Sequence, residues 1–293
     1  MPLSPRFPAS FASIFSEYDG FIVDLWGVIH DGQRLYPGVM RTLELLHQRE
    51  KKVVFLSNAP YRRQRVAGLL ESLGVTQLYY HAIVTSGETA WEYLASPEKH
   101  ALSLQGSNCY LLYQFHENSG FLNGLPYHLT RRIEEAGFLL LLDYYESIQP
   151  WSEVVRILEA AQRRNLPLIC VNPDKKVVTL AQEAIACSGV VAEYYAQNGG
   201  EVLYFGKPYP AVYEKALEQL PGIDYSHILA VGDGLETDIR GANGQGLASV
   251  LVTGGIMQRH TGLSEDADYE ARCMALFERE QNAPSFVLGT FGV

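Results

Sequence analysis

Short apolar runs rich in β-branched residues alternate along this chain with stretches of helical periodicity. The run at 21–25 carries apolar residues on both faces, as a buried central strand requires. A helical stretch begins at about Pro37, with Val39, Leu43 and Leu46 on one stripe, and further pairs of strand and helix patterns follow. One further helix is predicted near Arg62 to Leu73, and another opens at Ser86 and runs through Leu94. This alternation predicts an α/β fold with a parallel sheet wrapped by helices. Strands of this kind are predicted at 21–25, 53–56, 82–85, 202–205, 228–231 and 249–252.

Between the third and fourth of these strands the pattern starts again. This block contains three predicted strands, at 108–113, 138–142 and 168–171, and two predicted helices, at 133–136 and 153–163. The block is long enough to be a domain of its own. We therefore predict a discontinuous core domain, residues 1–86 and 203–293, with a second domain, residues 87–202, inserted into it.

The charge balance limits the class of partner. Among 293 residues, 23 Lys and Arg stand against 33 Asp and Glu, so the formal net charge is −10. Nucleic acids and anionic membrane surfaces require a basic footprint, so neither is expected as a partner. An anionic substrate would need a local positive site that works against the overall charge.

The apolar segments and cysteines indicate a cytoplasmic protein. The most apolar run, 138–142, is far shorter than the ~20 residues of a membrane-spanning helix. The first fifteen residues contain scattered Pro and Ser, which does not resemble a secretory signal. The four cysteines lie far apart without a CxxC pair, which predicts free thiols rather than a zinc site or disulfides.

Polar residues follow several predicted strands. Asp24 lies at the end of the first strand, where a buried carboxylate needs a partner. It could cap nearby backbone N–H groups, or it could act on a ligand at the carboxyl end of the sheet. Ser57 and Asn58 follow the second strand and lead into a helical pattern. They could form an ordinary N-cap, or they could hold a phosphate together with the helix N–H groups.

Two acids and a lysine lie near the later strands. Asp233 follows the strand at 228–231, and Asp238 falls in the first helical turn after it, so the two carboxylates should converge. Hard oxygen ligands of this kind suit Mg²⁺, although acids in a first turn also complement the helix dipole. Lys207, in a Gly-Lys-Pro loop, would be unremarkable on the surface, but next to a phosphate it would act as a point charge.

Taken in order, these motifs resemble those of the haloacid dehalogenase-like hydrolase superfamily. The resemblance is carried by Asp24 with Gly-Val after it, Ser57-Asn58, Lys207-Pro208, and the GDxxxxD pattern at Asp233 and Asp238. The insertion, with Val-Asn-Pro-Asp at 171–174, is similar to the class IIA cap of the sugar-phosphate, p-nitrophenyl-phosphate and pyridoxal-phosphate phosphatases. The resemblance implies a Rossmann-like parallel-sheet core with an inserted α/β cap domain.

The resemblance also implies roles for individual residues. Asp24 matches the nucleophile that forms an aspartyl-phosphate, and Lys207 matches the lysine that neutralises nucleophile and phosphoryl group. Ser57, Asn58 and Ala59 match the phosphate-holding segment. The implied cofactor is Mg²⁺, held by Asp24, Asp233, Asp238 and the backbone carbonyl of Trp26. The implied substrate is a small phosphorylated metabolite, and a homodimer through the cap is compatible with the resemblance.

Trp26 departs from the family pattern, since phosphatases of this family carry a second Asp two residues after the nucleophile. On an extended chain residues i and i+2 point the same way, so an indole should stand where an acid protonates the leaving group. Three interpretations follow. Another group could substitute, with His30 as a candidate unless it is a solvated loop residue. The enzyme could be restricted to leaving groups that need no proton, or could retain its phospho-enzyme. The protein could instead bind Mg²⁺ and phosphoesters without turnover.

Substrate specificity is expected to lie in the inserted domain. Caps of this kind close over the site and exclude water. Asn172, Asp174 and the neighbourhood of Tyr144 and Tyr145 are the candidates for substrate contact. The abundant tyrosines could instead fill the core, and Cys170 and Cys187 are expected to be buried small hydrophobes.

Overall fold

A computed structural model describes residues 5–96, 104, 106, 108–112, 120–144, 149–178, 184–254 and 258–293. Tyr113, predicted to end a strand, and Tyr145, predicted to lie near the substrate, are outside these residues. The strands are β1 Gly20–Val23, β2 Lys52–Ser57, β3 Ala82–Thr85, β4 Asn108–Leu111, β5 His128–Thr130, β6 Phe138–Leu141, β7 Leu168–Cys170, β8 Lys176–Val178, β9 Ala184–Ala186, β10 Val202–Tyr204, β11 Ile228–Gly232, β12 Ala248–Val252 and β13 Phe286–Leu288.

The helices lie in the connections between strands. They are α1 Val39–Gln48, α2 Arg63–Ser72, α3 Ser86–Leu94, α4 Trp151–Gln162, α5 Ser188–Gln197, α6 Pro210–Glu218, α7 Arg240–Gly244, α8 Gln258–Thr261 and α9 Tyr269–Glu280. The predicted helix at 133–136 is a single 3₁₀ turn, Ile133–Glu135. Within the described part of the chain, no helix is both long enough and apolar enough to cross a bilayer.

Six strands form the sheet of the first unit, in the order β13-β12-β11-β1-β2-β3. β1 pairs in parallel with both β2 and β11, and all four of its residues are buried. Helix α1 buries Val39, Leu43 and Leu46 completely, along the stripe that the sequence predicts. The predicted fold class, a parallel α/β sheet core with helices, is confirmed.

The second sheet has five parallel strands in the order β10-β7-β6-β4-β5. Two apolar clusters cover the two faces of this sheet. One includes Leu139, Leu158 and Tyr195, and the other includes Phe138 and Ile169. The strand predicted at 202–205 was assigned to the core sheet, but β10 pairs with β7 in this sheet. A short apolar run specifies a strand without specifying its partner, which is why the assignment was wrong.

The chain divides into two compact units. The first consists of Met1–Ser57, Gln64–Val84 and Lys207–Val293, and the second of Asn58–Arg63 and Thr85–Gly206. The second unit therefore includes a short segment directly after β2, in addition to the long inserted block. The predicted domain limits, 1–86 with 203–293 and 87–202, stay a prediction. All four cysteines are free and buried, including Cys170 and Cys187, for which burial was predicted.

Candidate active site

Asp24 and Asp233 follow the two central strands of the first sheet. β1 and β11 pair with Val23 opposite Val231, and the Asp24 backbone N–H donates to the Val231 carbonyl at 2.8 Å. Asp233 comes directly after β11. The chain builds the sheet outward from β1 on one side and from β11 on the other. The two acids therefore lie at the topological switch point, where open α/β sheets bind ligands.

Asp238 is carried by a single π-helical turn, Leu235–Ile239. The Gly234 carbonyl accepts hydrogen bonds from the Asp238 N–H at 2.9 Å and the Ile239 N–H at 3.1 Å. The Gly234 N–H in turn donates to Asp238 Oδ2 at 3.0 Å, so the carboxylate folds back over the turn. A Cβ on Gly232 would overlap this carboxylate. Turns of the π type occur frequently at functional sites.

The three carboxylates form one cluster. Asp24, Asp233 and Asp238 each offer an oxygen within 4.8 Å of the others, and all three side chains are buried. Carboxylates this close repel one another strongly in a low dielectric unless cations lie among them. Hard oxygen donors are also the ligands that Mg²⁺ prefers. The donor set therefore fits the predicted Mg²⁺.

Lys207 places a positive charge between two of these carboxylates. Its Nζ donates to Asp24 Oδ1 at 2.5 Å and to Asp238 Oδ1 at 2.8 Å, and its side chain is buried. Burial alone would lower the pKa of Lys207, but the Asp238 and Asp24 carboxylates outweigh burial and raise that pKa. Lys207 therefore remains an ammonium, and the alternative of a solvated surface lysine is wrong.

One ammonium does not balance three carboxylates. Burial raises the pKa of Asp24 well above its usual range; Lys207 opposes this effect, while Asp238 and Asp233 add to it. A divalent cation among the carboxylates would remove the excess negative charge and would favour ionised Asp24. The charge distribution of the cluster, like its donor chemistry, thus fits a bound divalent metal.

The loop after Asp24 passes close to the acidic cluster. Gly27 has φ +86°, and a Cβ on it would overlap the Asp233 carboxylate. Trp26 lies beside it, with its indole ring against the Gly32 backbone and edge-on to the His30 ring, and is 43% exposed. β1 ends at Val23, before Trp26, and the placement of Trp26 where the family has its acid stays a prediction.

His30 is buried rather than solvated. Its Nδ1 accepts a hydrogen bond from the Gly32 backbone N–H at 3.0 Å, and only 3% of the residue is exposed. Burial lowers the pKa of His30, and the charge of Asp31 only partly offsets this. A neutral imidazole whose Nδ1 is an acceptor is poorly suited to donate a proton to a leaving group.

Ser57, Asn58 and Ala59 lie at the end of β2 and in the loop after it. Ser57 is buried at the last position of the strand. Helix α2 begins at Arg63, close to its predicted start near Arg62, so Ser57 and Asn58 do not form its N-terminus. The Asn58 amide instead donates to Asp174 Oδ1 at 2.7 Å, within the second unit.

The candidate specificity residues have structural partners within the second unit. Asn172 is buried, and its Oδ1 accepts the Asp174 backbone N–H at 3.0 Å, while its carbonyl accepts the Ser188 hydroxyl at 2.8 Å. Tyr144 is 2% exposed and packs edge-on against Trp151. Tyr144 therefore belongs to the core of this unit and does not form an aromatic wall. The substrate role of Asn172 stays a prediction.

Tyr213 was not among the predicted site residues. This residue lies on α6, is almost completely buried, and donates from Oη to the Asp238 backbone carbonyl at 3.0 Å. Burial raises the pKa of Tyr213 well above its usual range, so the phenol remains a donor. The available signal was its position on the apolar stripe of a helix that starts shortly after Lys207 with Pro210 at its first turn.

These features define a Rossmann-like α/β protein with an acidic, lysine-containing site at the carboxyl end of its sheet. Residues 21–118 match the family described as haloacid dehalogenase-like hydrolase, and residues 204–273 match a related HAD-hydrolase-like family. Together the two matches include Asp24, Ser57, Lys207, Asp233 and Asp238. The chain belongs to the haloacid dehalogenase-like hydrolases.

Known proteins of this family resemble the chain over different lengths. Phosphoglycolate phosphatase 2 of Arabidopsis thaliana is 38% identical over 87 residues, covering 29% of this chain and 29% of that protein. D-glycerol 3-phosphate phosphatase of Mycobacterium tuberculosis is 26% identical over 244 residues, covering 83% of this chain and 65% of that protein. The chain thus spans less than two thirds of the length of either relative.

A solved structure resembles the chain over almost its whole length. It is a hydrolase of the haloacid dehalogenase-like family from Brucella suis, with a TM-score of 0.78 and 26% sequence identity, and the match covers 97% of this chain and 99% of that one.

Proposed function

We propose that this protein is a Mg²⁺-dependent phosphatase that hydrolyses phosphate monoesters of small metabolites. The observation that carries the proposal is the position of the Lys207 ammonium between Asp24 and Asp238 at the switch point of the sheet. Relatives named as phosphatases of phosphoglycolate and of D-glycerol 3-phosphate support the substrate class.

The proposed reaction has two displacement steps. A carboxylate oxygen of Asp24 attacks phosphorus, and the bond from phosphorus to the ester oxygen breaks with its electron pair leaving on that oxygen. Water then attacks phosphorus in the resulting aspartyl-phosphate, which releases inorganic phosphate and regenerates Asp24. Both steps depend mainly on positioning and charge neutralisation.

The chain's own groups supply part of that neutralisation. The Lys207 ammonium lowers the repulsion between Asp24 and the phosphoryl oxygens, and its raised pKa makes it a fixed charge rather than a proton donor. Ser57, Asn58 and Ala59 hold the phosphoryl group, and Asn172 contacts the substrate. Asp24, Asp233, Asp238 and the Trp26 carbonyl would hold Mg²⁺, which when bound would neutralise phosphoryl charge.

Because Trp26 replaces the usual acid, protonation of the leaving group is the step of this reaction that the site supports least. An indole N–H donates a hydrogen bond but does not titrate in the useful range, and the lowered pKa of buried His30 makes it a poor substitute. We therefore propose good turnover of aryl and acyl phosphates, whose leaving groups need little protonation, and slow turnover of alkyl phosphates.

A screen of phosphate release tests the proposal. The substrates are an acyl phosphate, aryl phosphates of graded phenol acidity, and alkyl phosphates such as glycerol phosphate, each with and without Mg²⁺. The expected result is Mg²⁺-dependent release that falls steeply as the leaving group becomes more basic, and that disappears in Asp24→Asn. Release that is equal in the Asp24→Asn variant would overturn the proposed nucleophile.

A second function is favoured by the same residue. If the absence of an acid at Trp26 abolishes turnover for every leaving group, the protein is a Mg²⁺- and phosphoester-binding or regulatory protein. Calorimetry with inorganic phosphate and Mg²⁺, combined with the phosphate-release screen, separates the two functions. This alternative predicts binding by the wild type with no phosphate release beyond that of Asp24→Asn.

Two further expectations belong to this proposal. The four free cysteines support a reducing, cytoplasmic setting. A homodimer through the inserted unit follows from the family resemblance, and sedimentation equilibrium measures it directly.

A further inference from the structure

The short segment Asn58–Arg63 belongs to the second unit, and it is held by the first turn of α3. We call it the 58–63 loop. It carries two of the residues proposed to hold the phosphoryl group, Asn58 and Ala59, yet it contains no regular helix or strand before Arg63. The position of its peptide groups therefore depends on contacts with the rest of the second unit.

Two backbone carbonyls of the 58–63 loop are fixed by α3. The Ala59 carbonyl accepts the Ser86 hydroxyl at 3.0 Å and the Gly87 N–H at 3.1 Å. The Tyr61 carbonyl accepts the Thr85 hydroxyl at 2.7 Å. A Cβ on Gly87 would lie 2.5 Å from both the Pro60 carbonyl carbon and the Tyr61 oxygen, so glycine permits this approach.

Glu88 completes the contact with three hydrogen bonds to the end of the loop. Its Oε2 accepts Arg62 Nε at 2.8 Å and the Arg63 backbone N–H at 3.1 Å, and its Oε1 accepts Arg62 Nη2 at 3.0 Å. Glu88 is 6% exposed, and its own backbone N–H is capped by Thr85. The Arg62 guanidinium also lies 3.9 Å above the Trp91 ring, which fixes its plane.

We propose that Glu88 is a positioning residue for phosphate binding. By fixing Arg62 and the Arg63 N–H, its carboxylate holds the 58–63 loop in the conformation that presents Asn58 and Ala59 to a phosphoryl group. A bidentate pair between a planar guanidinium and a carboxylate specifies direction as well as distance. This role rests on the proposed function, because it assumes that the loop binds phosphate.

The test measures phosphate affinity apart from turnover. Glu88→Gln keeps the shape and one acceptor oxygen, so it should fold, and Arg62→Lys keeps the charge while losing the bidentate geometry. The dissociation constant of inorganic phosphate is measured by calorimetry with Mg²⁺, together with KM and kcat for an aryl phosphate. Each variant should weaken phosphate binding and raise KM by about tenfold, with a smaller change in kcat.

Val154→Ala is the matched control. Val154 is 1% exposed in the core of the second unit, outside the 58–63 loop and α3, so this variant lowers stability without removing a loop contact. Its phosphate affinity should equal that of the wild type. Lower melting temperatures of Glu88→Gln and Arg62→Lys with unchanged phosphate affinity would overturn the positioning role. Wild-type protein that neither binds nor releases phosphate would overturn the proposed function and this role together.

Discussion

The Nζ of Lys207 lies 2.5 Å from Asp24 Oδ1 and 2.8 Å from Asp238 Oδ1. The Lys207 ammonium thus connects two acids. Asp24, the proposed nucleophile, follows β1, and Asp238 lies on the π turn after the neighbouring strand β11. The three side chains are buried, so water contributes little to their charge balance. The site should therefore depend on Lys207 both for its stability and for its chemistry.

Replacing Lys207 by Met should impair both properties. Loss of a preorganised charge at the reacting group should lower kcat by about 10²–10³-fold. Without Lys207, the buried Asp24 and Asp238 carboxylates lose their cation, which should lower the free energy of unfolding by about 3–5 kcal/mol. Bound Mg²⁺ should restore part of the lost stability. Phosphate release and urea unfolding, with and without Mg²⁺, measure the two effects. The control Lys215→Met removes an exposed lysine paired with Glu218 and should leave both kcat and the free energy of unfolding unchanged. A kcat within tenfold of wild type in Lys207→Met would contradict the expectation.

A methyl group at Gly27 should weaken metal binding. A Cβ at this position would overlap the Asp233 carboxylate, so Gly27→Ala has to displace Asp233 or the loop. Gly222→Ala is a matched control, because Gly222 has a similar φ of +80° but open space around its Cβ position. Both variants should lose stability through the same backbone strain. Only Gly27→Ala should also raise the dissociation constant of Mg²⁺. The expected rise is tenfold or more, which corresponds to at least about 1.4 kcal/mol of binding free energy. Equal Mg²⁺ affinities in the two variants would refute the contact between Gly27 and Asp233.

Removing the Tyr213 hydroxyl should loosen the π turn. Tyr213→Phe leaves the Asp238 carbonyl without this donor, which should cost about 1–3 kcal/mol of stability. Tyr195→Phe removes an equivalent buried hydrogen bond, from Tyr195 to the Leu166 carbonyl in the second unit. The two variants should be destabilised similarly. The Mg²⁺ concentration for half-maximal activity should rise severalfold in Tyr213→Phe alone, and a similar rise in Tyr195→Phe would assign the effect to stability.

The stability of the second unit should depend on acid pH through Glu88. Burial raises the pKa of Glu88, but hydrogen bonds from Arg62 and the Arg63 N–H outweigh burial and lower it below its ordinary value of 4.5. The ionised carboxylate therefore stabilises the fold above that value, and the stabilisation is lost as pH falls through the lowered pKa. The difference in unfolding free energy between wild type and Glu88→Gln should be largest near pH 7 and should shrink as the pH falls below 4.5 and through the lowered pKa of Glu88. A difference that is constant with pH would show that the charge of Glu88 is not involved.

Local sequence signals predicted much of the fold. β3 and α3 were expected at 82–85 and from Ser86 through Leu94, and the structure has them at these positions. The convergence of Asp233 with Asp238 also followed from the sequence, since one residue comes after a buried strand and the other falls in the first helical turn after it. The family resemblance added Asp24 to this pair.

The features that the sequence did not predict are irregular loops and turns without a periodic pattern, and strand partners that lie far along the chain. The loop after Asp24 folds back so that the Leu25 carbonyl accepts the Ile29 and His30 N–H groups, which buries His30 in a segment that looks like a polar loop. The partner of the strand predicted at 202–205 is β7, which lies far along the chain, and a short apolar run does not specify that partner. The π turn at Asp238 has no periodicity of its own within five residues.

Restoring an acid at Trp26 should recover turnover of alkyl phosphates. Trp26 is 43% exposed, and its ring contacts Gly32 and His30. Its replacement therefore leaves no buried cavity in the loop. General acid catalysis contributes about 10²–10⁴-fold, so Trp26→Asp should raise kcat on glycerol phosphate by up to this factor while changing aryl phosphate turnover much less. Trp26→Asn, which has the same shape without a titratable proton, should give no such gain. Equal alkyl turnover in the Asp and Asn variants would mean that protonation of the leaving group does not limit this enzyme.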